Sequence, residues 1–110
     1  MSDRPWKRFE RETAALIGGR RYPANLGELV DCESERFVAQ CKHVARMSLS
    51  EIASLAETAA QQGAARSGKI GTVCIRIRRG RGNDSTTVVV MTDHSFRSLL
   101  NSVTWKDIAP

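Results

Sequence analysis

A chain of 110 residues has room for one hydrophobic core and not two, so residues 1–110 are expected to form a single domain. Its 41% hydrophobic and 26% charged residues are globular values and argue against disorder. No apolar run approaches the roughly 18 residues that cross a bilayer, and Met1-Ser2-Asp3-Arg4-Pro5 lacks the apolar core of a signal peptide, so the expectation is a cytoplasmic protein with no membrane partner. Seventeen Lys and Arg against twelve Asp and Glu give +5 and favour a polyanionic partner, the alternative being a basic surface that is merely solvated.

In chain order, Trp6, Phe9, Leu16 and Ile17 recur at helical spacing over Pro5 to Ile17, with Ser2 or Asp3 as cap and Pro5 tolerated in the first turn. Gly18-Gly19 stops that helix. Arg20 to Gly27 reads as a basic loop that opens with a short edge strand, followed by two alternating runs at Glu28 to Cys32 and Arg36 to His43, joined as a hairpin through Glu33-Ser34-Glu35. Ser48-Leu49-Ser50-Glu51 is a capping box opening a second helix, whose apolar stripe is Leu49, Ile52, Leu55, Ala56, Ala59 and Ala60 and whose end is marked by Gly63 or Gly68. Ile70 to Ile77 and Thr86 to Met91 are strands joined by the basic loop between them, and a last helix, capped by Asp93 or Ser95, carries Phe96, Leu99 and Leu100. The sum is an α/β fold of order α-β-β(-β)-α-β-β-α: a single mixed β-sheet flanked by helices, because each helical stripe needs a strand surface to cover it.

Some side chains sit where packing alone would not put them. At 100° per residue Glu10 falls about 40° from Trp6 and about 20° from Ile17, inside the apolar arc of the first helix. It either pairs with a basic neighbour at the core's rim or holds something. In the strands, Leu29, Asp31 and Glu33 share one face and Val38, Gln40 and Lys42 share one face, while Phe37, Ala39 and Cys41 point the other way into a core. A carboxylate, an amide and an ammonium sent to one side of adjacent strands form either a solvated polar face or a reaction centre. Arg78, Arg79 and Arg81, interleaved with Gly80 and Gly82, together with Arg20 and Arg21, are candidates for gripping phosphates without reading bases, a solvated loop tip being the alternative. Cys32, Cys41 and Cys74 are odd in number and widely spaced, which suits reduced core residues rather than disulfides or zinc ligands.

A Lys-Arg-Phe-Glu-Arg-Glu helix, an Asp on a strand and, nine residues later, Gln40-Cys41-Lys42 on the next strand resemble the PD-(D/E)XK nuclease superfamily, especially its Holliday-junction-resolvase-like and phage-type small endonucleases. The resemblance runs through the capped helix, the strand, the Gly/Arg-rich loop and the closing strand and helix, so it spans the chain on short motifs. It implies a restriction-endonuclease-like αβββαβ core and a metal-dependent deoxyribonuclease. In it Asp31, Glu10 and Gln40 ligand Mg²⁺, with Mn²⁺ as a substitute, and Lys42 aids the attacking water and the charge that builds on phosphorus. Gln40 stands where the family has an acidic residue, so Mg²⁺ affinity is expected to be weaker, with Glu33 as a candidate compensating carboxylate. The implied partners are duplex or branched DNA and a second copy of the chain as a homodimer. A non-catalytic nucleic-acid-binding module on the same fold is the competing reading, and a small interaction domain with no nucleic-acid role is a third.

Overall fold

A computed structural model of the chain describes residues 5–22, 30–79 and 85–102. Its elements are α1 (Pro5–Leu16), β1 (Arg20–Arg21), β2 (Cys32–Glu33), β3 (Phe37–Val44), α2 (Leu49–Ala65), β4 (Ile70–Ile77), β5 (Thr86–Val90) and α3 (Asp93–Ser102). The five strands form one mixed sheet in the order β1-β2-β3-β4-β5. β1, β2 and β3 are an antiparallel meander, β3 and β4 run parallel, and β5 returns antiparallel to β4. The parallel pair needs a long crossover, and α2 supplies it.

Alternation along β3 and β4 assigns the two faces. Ala39, Cys41 and His43, in register with Thr72, Cys74 and Arg76, face α1, where Ala14, Cys32 and Ala39 form a small core closed by Ile17 and Cys41. Val38, Gln40, Lys42 and Val44, in register with Gly71, Val73, Ile75 and Ile77, face α2, where Ala59, Val73 and Ile75 are buried among Ile52, Leu55, Met47 and Val90. Val38 and Ala39 are both fully buried, so helices cover both faces of this strand. The expected core side of Phe37, Ala39 and Cys41 holds for buried Ala39, while Phe37 at the strand's start and Cys41 are half-buried and Val38 on the opposite side is buried as well.

α2 lies unusually close to β4. A Cβ built at Gly71 would overlap the Ala59 carbonyl, and one at Gly63 would overlap the Lys69 carbonyl, so two glycines let helix and strand backbones touch. The helix opens with the expected capping box, in which Glu51 N–H donates to Ser48 Oγ at 3.1 Å. Leu49, expected in the stripe, is 85% exposed at the first position of the helix.

The buried side of α1 is Phe9, Thr13 and Ala14, while Trp6 and Leu16 are exposed. The stripe is therefore rotated from the expected one, since small residues at 13 and 14 let the helix approach the cysteine-lined sheet. Asp31 occupies a bend, and β2 begins only at Cys32. The expected strand from Glu28 is thus shorter over its described part, and positions 28 and 29 lie outside the described residues. α3 is capped by Thr92 rather than Asp93 or Ser95: Ser95 N–H donates to Thr92 Oγ1 at 3.1 Å and Phe96 N–H to the Thr92 carbonyl at 2.9 Å.

Candidate active site

Asp31 is built into the edge of β3. Its backbone N–H donates to the Ala39 carbonyl at 3.0 Å and its Oδ2 accepts the Cys41 N–H at 2.8 Å, so its bonds bracket Gln40 on both sides. The carboxylate takes the place a ladder carbonyl would fill, which is why regular pairing of β2 stops here. The regular register ends at the Cys32–Ala39 pair, and Asp31, in the bend before it, also bonds to Ala39.

Gln40 and Lys42 both point to the α2 layer. Gln40 Nε2–H donates to Gln62 Oε1 at 2.8 Å, linking the strand to the fourth turn of α2. Lys42 lies over a recess of about 530 Å³ at the carboxyl end of β3, walled by Val44, Met47 and Leu55 with Ser50, Glu51 and Ser54 on the rim. Lys42 is half-buried, and among the described residues its ammonium meets no carboxylate.

Glu10 comes from the other layer. Its backbone carbonyl accepts the Cys32 thiol at 3.2 Å, and its carboxylate accepts Arg21 Nε–H at 2.7 Å with only 14% of the side chain exposed. The polar oddity in the α1 arc is thus matched with a basic neighbour from β1. Glu10 is tied by its backbone carbonyl to Cys32, the residue after Asp31. The Cys32 thiol is pushed far above its ordinary value by its hydrogen bond to Cys41, by burial, and by the charges of both Asp31 and Glu10. The cysteines are free, with Cys32 and Cys74 buried.

Glu33 is occupied elsewhere. It accepts the Tyr22 hydroxyl, Arg66 Nη1–H at 3.0 Å and Lys69 Nζ–H at 2.5 Å, while Lys69 also donates to the Ser34 carbonyl. The Lys69 bond first, then the Tyr22 bond, hold its carboxyl below the usual range. This knot ties β2 to the end of α2 and the start of β4, and it removes Glu33 as a compensating metal ligand.

The arginines fall at opposite ends of the sheet. Arg20 is level with Glu33 and Val38, and Arg21 is spent on Glu10. Arg78, whose N–H donates to the Val44 carbonyl at 2.8 Å, and Arg79 are exposed where β3 and β4 end, joined there by Arg46. Arg81 lies outside the described residues. Six strand steps separate Val38 from Val44, roughly 20 Å at about 3.3 Å each. α1 runs antiparallel to β3, setting Phe9 beside His43 at 6.3 Å between ring centroids and Arg76 over the Phe9 ring at 4.5 Å. Its opening residues Trp6, Lys7 and Arg8 therefore join the Arg78 end. His43 is held below its ordinary value by burial and then by the charges of Arg78 and Arg76.

Among the described residues no three of His, Cys, Asp and Glu converge as a metal-holding group, and no helix is long and apolar enough to cross a membrane. Gln62 is the site residue that motif and charge patterning do not single out. It sits about 20° from Leu55 on the helical wheel, a polar residue at the border of an apolar stripe. Comparisons with protein-family models, with curated proteins and with solved structures find no match.

Proposed function

We propose that the protein is a Mg²⁺-dependent DNA endonuclease with its reaction centre at Asp31, Gln40 and Lys42. The observation that carries this reading is the half-buried residue Lys42, whose ammonium lacks a carboxylate partner among the described residues and which lies one pleat from a glutamine that Asp31's backbone and carboxylate bonds bracket. A structural lysine would be paired or fully solvated. A lysine that meets a phosphate only when substrate arrives has reason to be neither.

The donor set suits Mg²⁺ and does not suit zinc. Asp31 offers carboxylate oxygen and Gln40 offers amide oxygen, both hard donors, and Mg²⁺ commonly takes one or two carboxylates and completes its octahedron with water and phosphate. Zinc would want a closed set of nitrogen and sulfur ligands, whereas the oxygen donors Asp31 and Gln40 would leave most of the Mg²⁺ ion's coordination to water and phosphate, no group of three or more His, Cys, Asp and Glu converging among the described residues. Bound there, the ion would polarise the scissile phosphate and acidify a water. Asp31 would hold and orient it, Glu10 would support Asp31's surroundings while paired to Arg21, and Lys42 would donate to phosphate oxygens as charge accumulates. Cleavage in the cytoplasm by a homodimer that meets both strands of a branched or duplex substrate is the fuller form of the reading.

Incubation with linear, nicked, single-stranded and four-way-junction DNA, with Mg²⁺, Mn²⁺ or chelator, tests it. Metal-dependent cleavage is expected, abolished by Asp31→Asn and slowed by Lys42→Ala more in kcat than in KM. Gln40→Glu adds an anionic ligand and should lower the Mg²⁺ concentration for half-maximal cleavage. Salt-sensitive DNA binding without cleavage would point instead to the non-catalytic binding module, and cleavage undiminished in Asp31→Asn would remove the site from Asp31.

A further inference from the structure

We infer that β5 is a dimer interface, at which two copies of this chain pair their sheet edges antiparallel about a two-fold axis through Val88. The inference stands apart from the nuclease reading, since it uses none of Asp31, Gln40 and Lys42. A sheet edge presents a row of N–H and C=O groups that will take up any strand, and natural proteins shorten, charge or cover their edges for that reason. The two edges of this sheet are treated differently. β1 is two residues long, and both are arginines. β5, the last strand in the sheet order, is five residues long, Thr86-Thr87-Val88-Val89-Val90, and carries neither charge nor proline.

Its surroundings fit a second copy of the chain rather than a charged ligand. Most of the exposed large hydrophobic side chains among the described residues fall here, Val88 and Val89 on the strand and Phe96 and Leu100 on the helix that follows it. From Thr86 to Ser102 the charged residues are Asp93 and Arg97, which cancel, on a chain that carries +5. Two copies of a basic chain repel least across a neutral segment, and a polyanion finds no hold on it. Arg76 of β4, which reaches β5 by donating to Thr87 Oγ1 at 3.1 Å, is itself paired with Glu12 at 2.5 Å. The strand is also complementary to itself. With Val88 opposite its own counterpart, Thr86 meets Val90 and Thr87 meets Val89 across the axis, so β-branched side chains face one another and no like charges do. Pairing then stops at two copies, because doubling the five-stranded sheet leaves the arginine strand β1 at both outer edges.

Sedimentation equilibrium over a protein concentration series, with circular dichroism to check folding, compares wild type, Val88→Lys, Val88→Glu and an equimolar mixture of those two variants at low salt. Leu49→Lys is the control, adding the same charge at an exposed site away from β5. Wild type and Leu49→Lys should dimerise alike. Val88→Lys alone and Val88→Glu alone should each bind at least about a hundredfold more weakly, because like charges face each other across the axis. The mixture should recover a heterodimer at least about tenfold tighter than either variant alone. A wild type that stays monomeric up to about 1 mM overturns the inference, whether its β5 amides exchange freely or are protected by another part of the chain. So does a Val88→Lys protein that dimerises as tightly as wild type, or a mixture no tighter than its components. If the charged variants do not fold, hydrogen exchange of wild type decides: the β5 amides should gain protection as concentration rises through the dimerisation range, and exchange that ignores concentration overturns the interface. None of these outcomes touches cleavage at Asp31 and Lys42, which the DNA incubations test separately.

Discussion

Glu10 and Glu33 are largely buried carboxylates, and each meets a different set of neighbours. Glu10 has one guanidinium, whereas Glu33 has a phenol, a guanidinium and an ammonium. A carboxyl held below its ordinary value of 4.5 contributes stability that is fully present above that value and is lost as pH falls through the lower, folded-state value. Glu33→Gln should therefore destabilise by about 1–2 kcal/mol at pH 7 by removing the charge that Lys69 and Arg66 share. Below pH 4.5 the gap to wild type should close, because wild type loses the same charge. Urea unfolding of both proteins at a series of pH values would show it, and a gap that stays constant through the acid range would sink the account. These residues also mark what could be read from the chain. Glu10's place in an apolar arc followed from helical arithmetic, but Glu33's partners lie 33 and 36 residues away and leave no local trace.

The elements were more legible than their contacts, for reasons visible in particular residues. β4 runs from Ile70 to Ile77 as the β-branched pattern required, because a strand buried on both faces must be apolar at nearly every position. α2 begins where its capping box begins. The α1 stripe was misjudged because exposure of Trp6 and Leu16 depends on where the sheet ends, which helical periodicity does not contain. Likewise Thr92 outcompeted Asp93 as cap by geometry that residue preference could not rank. The approach of α2 to β4 yields a sharper test. Gly71→Ala would drive a methyl into the Ala59 carbonyl, part of a helix backbone that cannot yield cheaply, at a cost of about 3 kcal/mol. Gly68→Ala meets nothing within 4 Å, and its φ of +71° should cost only about 1 kcal/mol. Equal unfolding midpoints for the two variants would mean that the helix can back away from the sheet.

At the scale of the whole molecule, the basic groups among the described residues are unevenly paired. Near Val38 the basic groups Arg21, Arg66 and Lys69 are consumed by Glu10 and Glu33, whereas the carboxyl end of β3 and β4 gathers Lys7, Arg8, Arg46, Arg78 and Arg79. His43 registers that field, its proton being disfavoured in part by Arg78 and Arg76. Lys42 and its recess open at this same end, so a strand led in by the arginines would pass the proposed reaction centre. Combined replacement of Arg78, Arg79 and Arg81 by Ala should weaken DNA binding across all sequences and flatten log K against log salt by about 0.9 for each duplex phosphate that is no longer neutralised. Arg20→Ala, roughly 20 Å away along the strand direction, should have a smaller effect, and Arg21→Ala should act mainly by releasing Glu10. Fluorescence anisotropy with one duplex and one four-way junction across a salt series measures all three. A triple variant that binds with an unaltered salt slope would assign the loop to bulk solvent and move the DNA path off this end of the sheet. A larger fall in affinity from Arg20→Ala than from the triple variant would reverse the polarity of the proposed face.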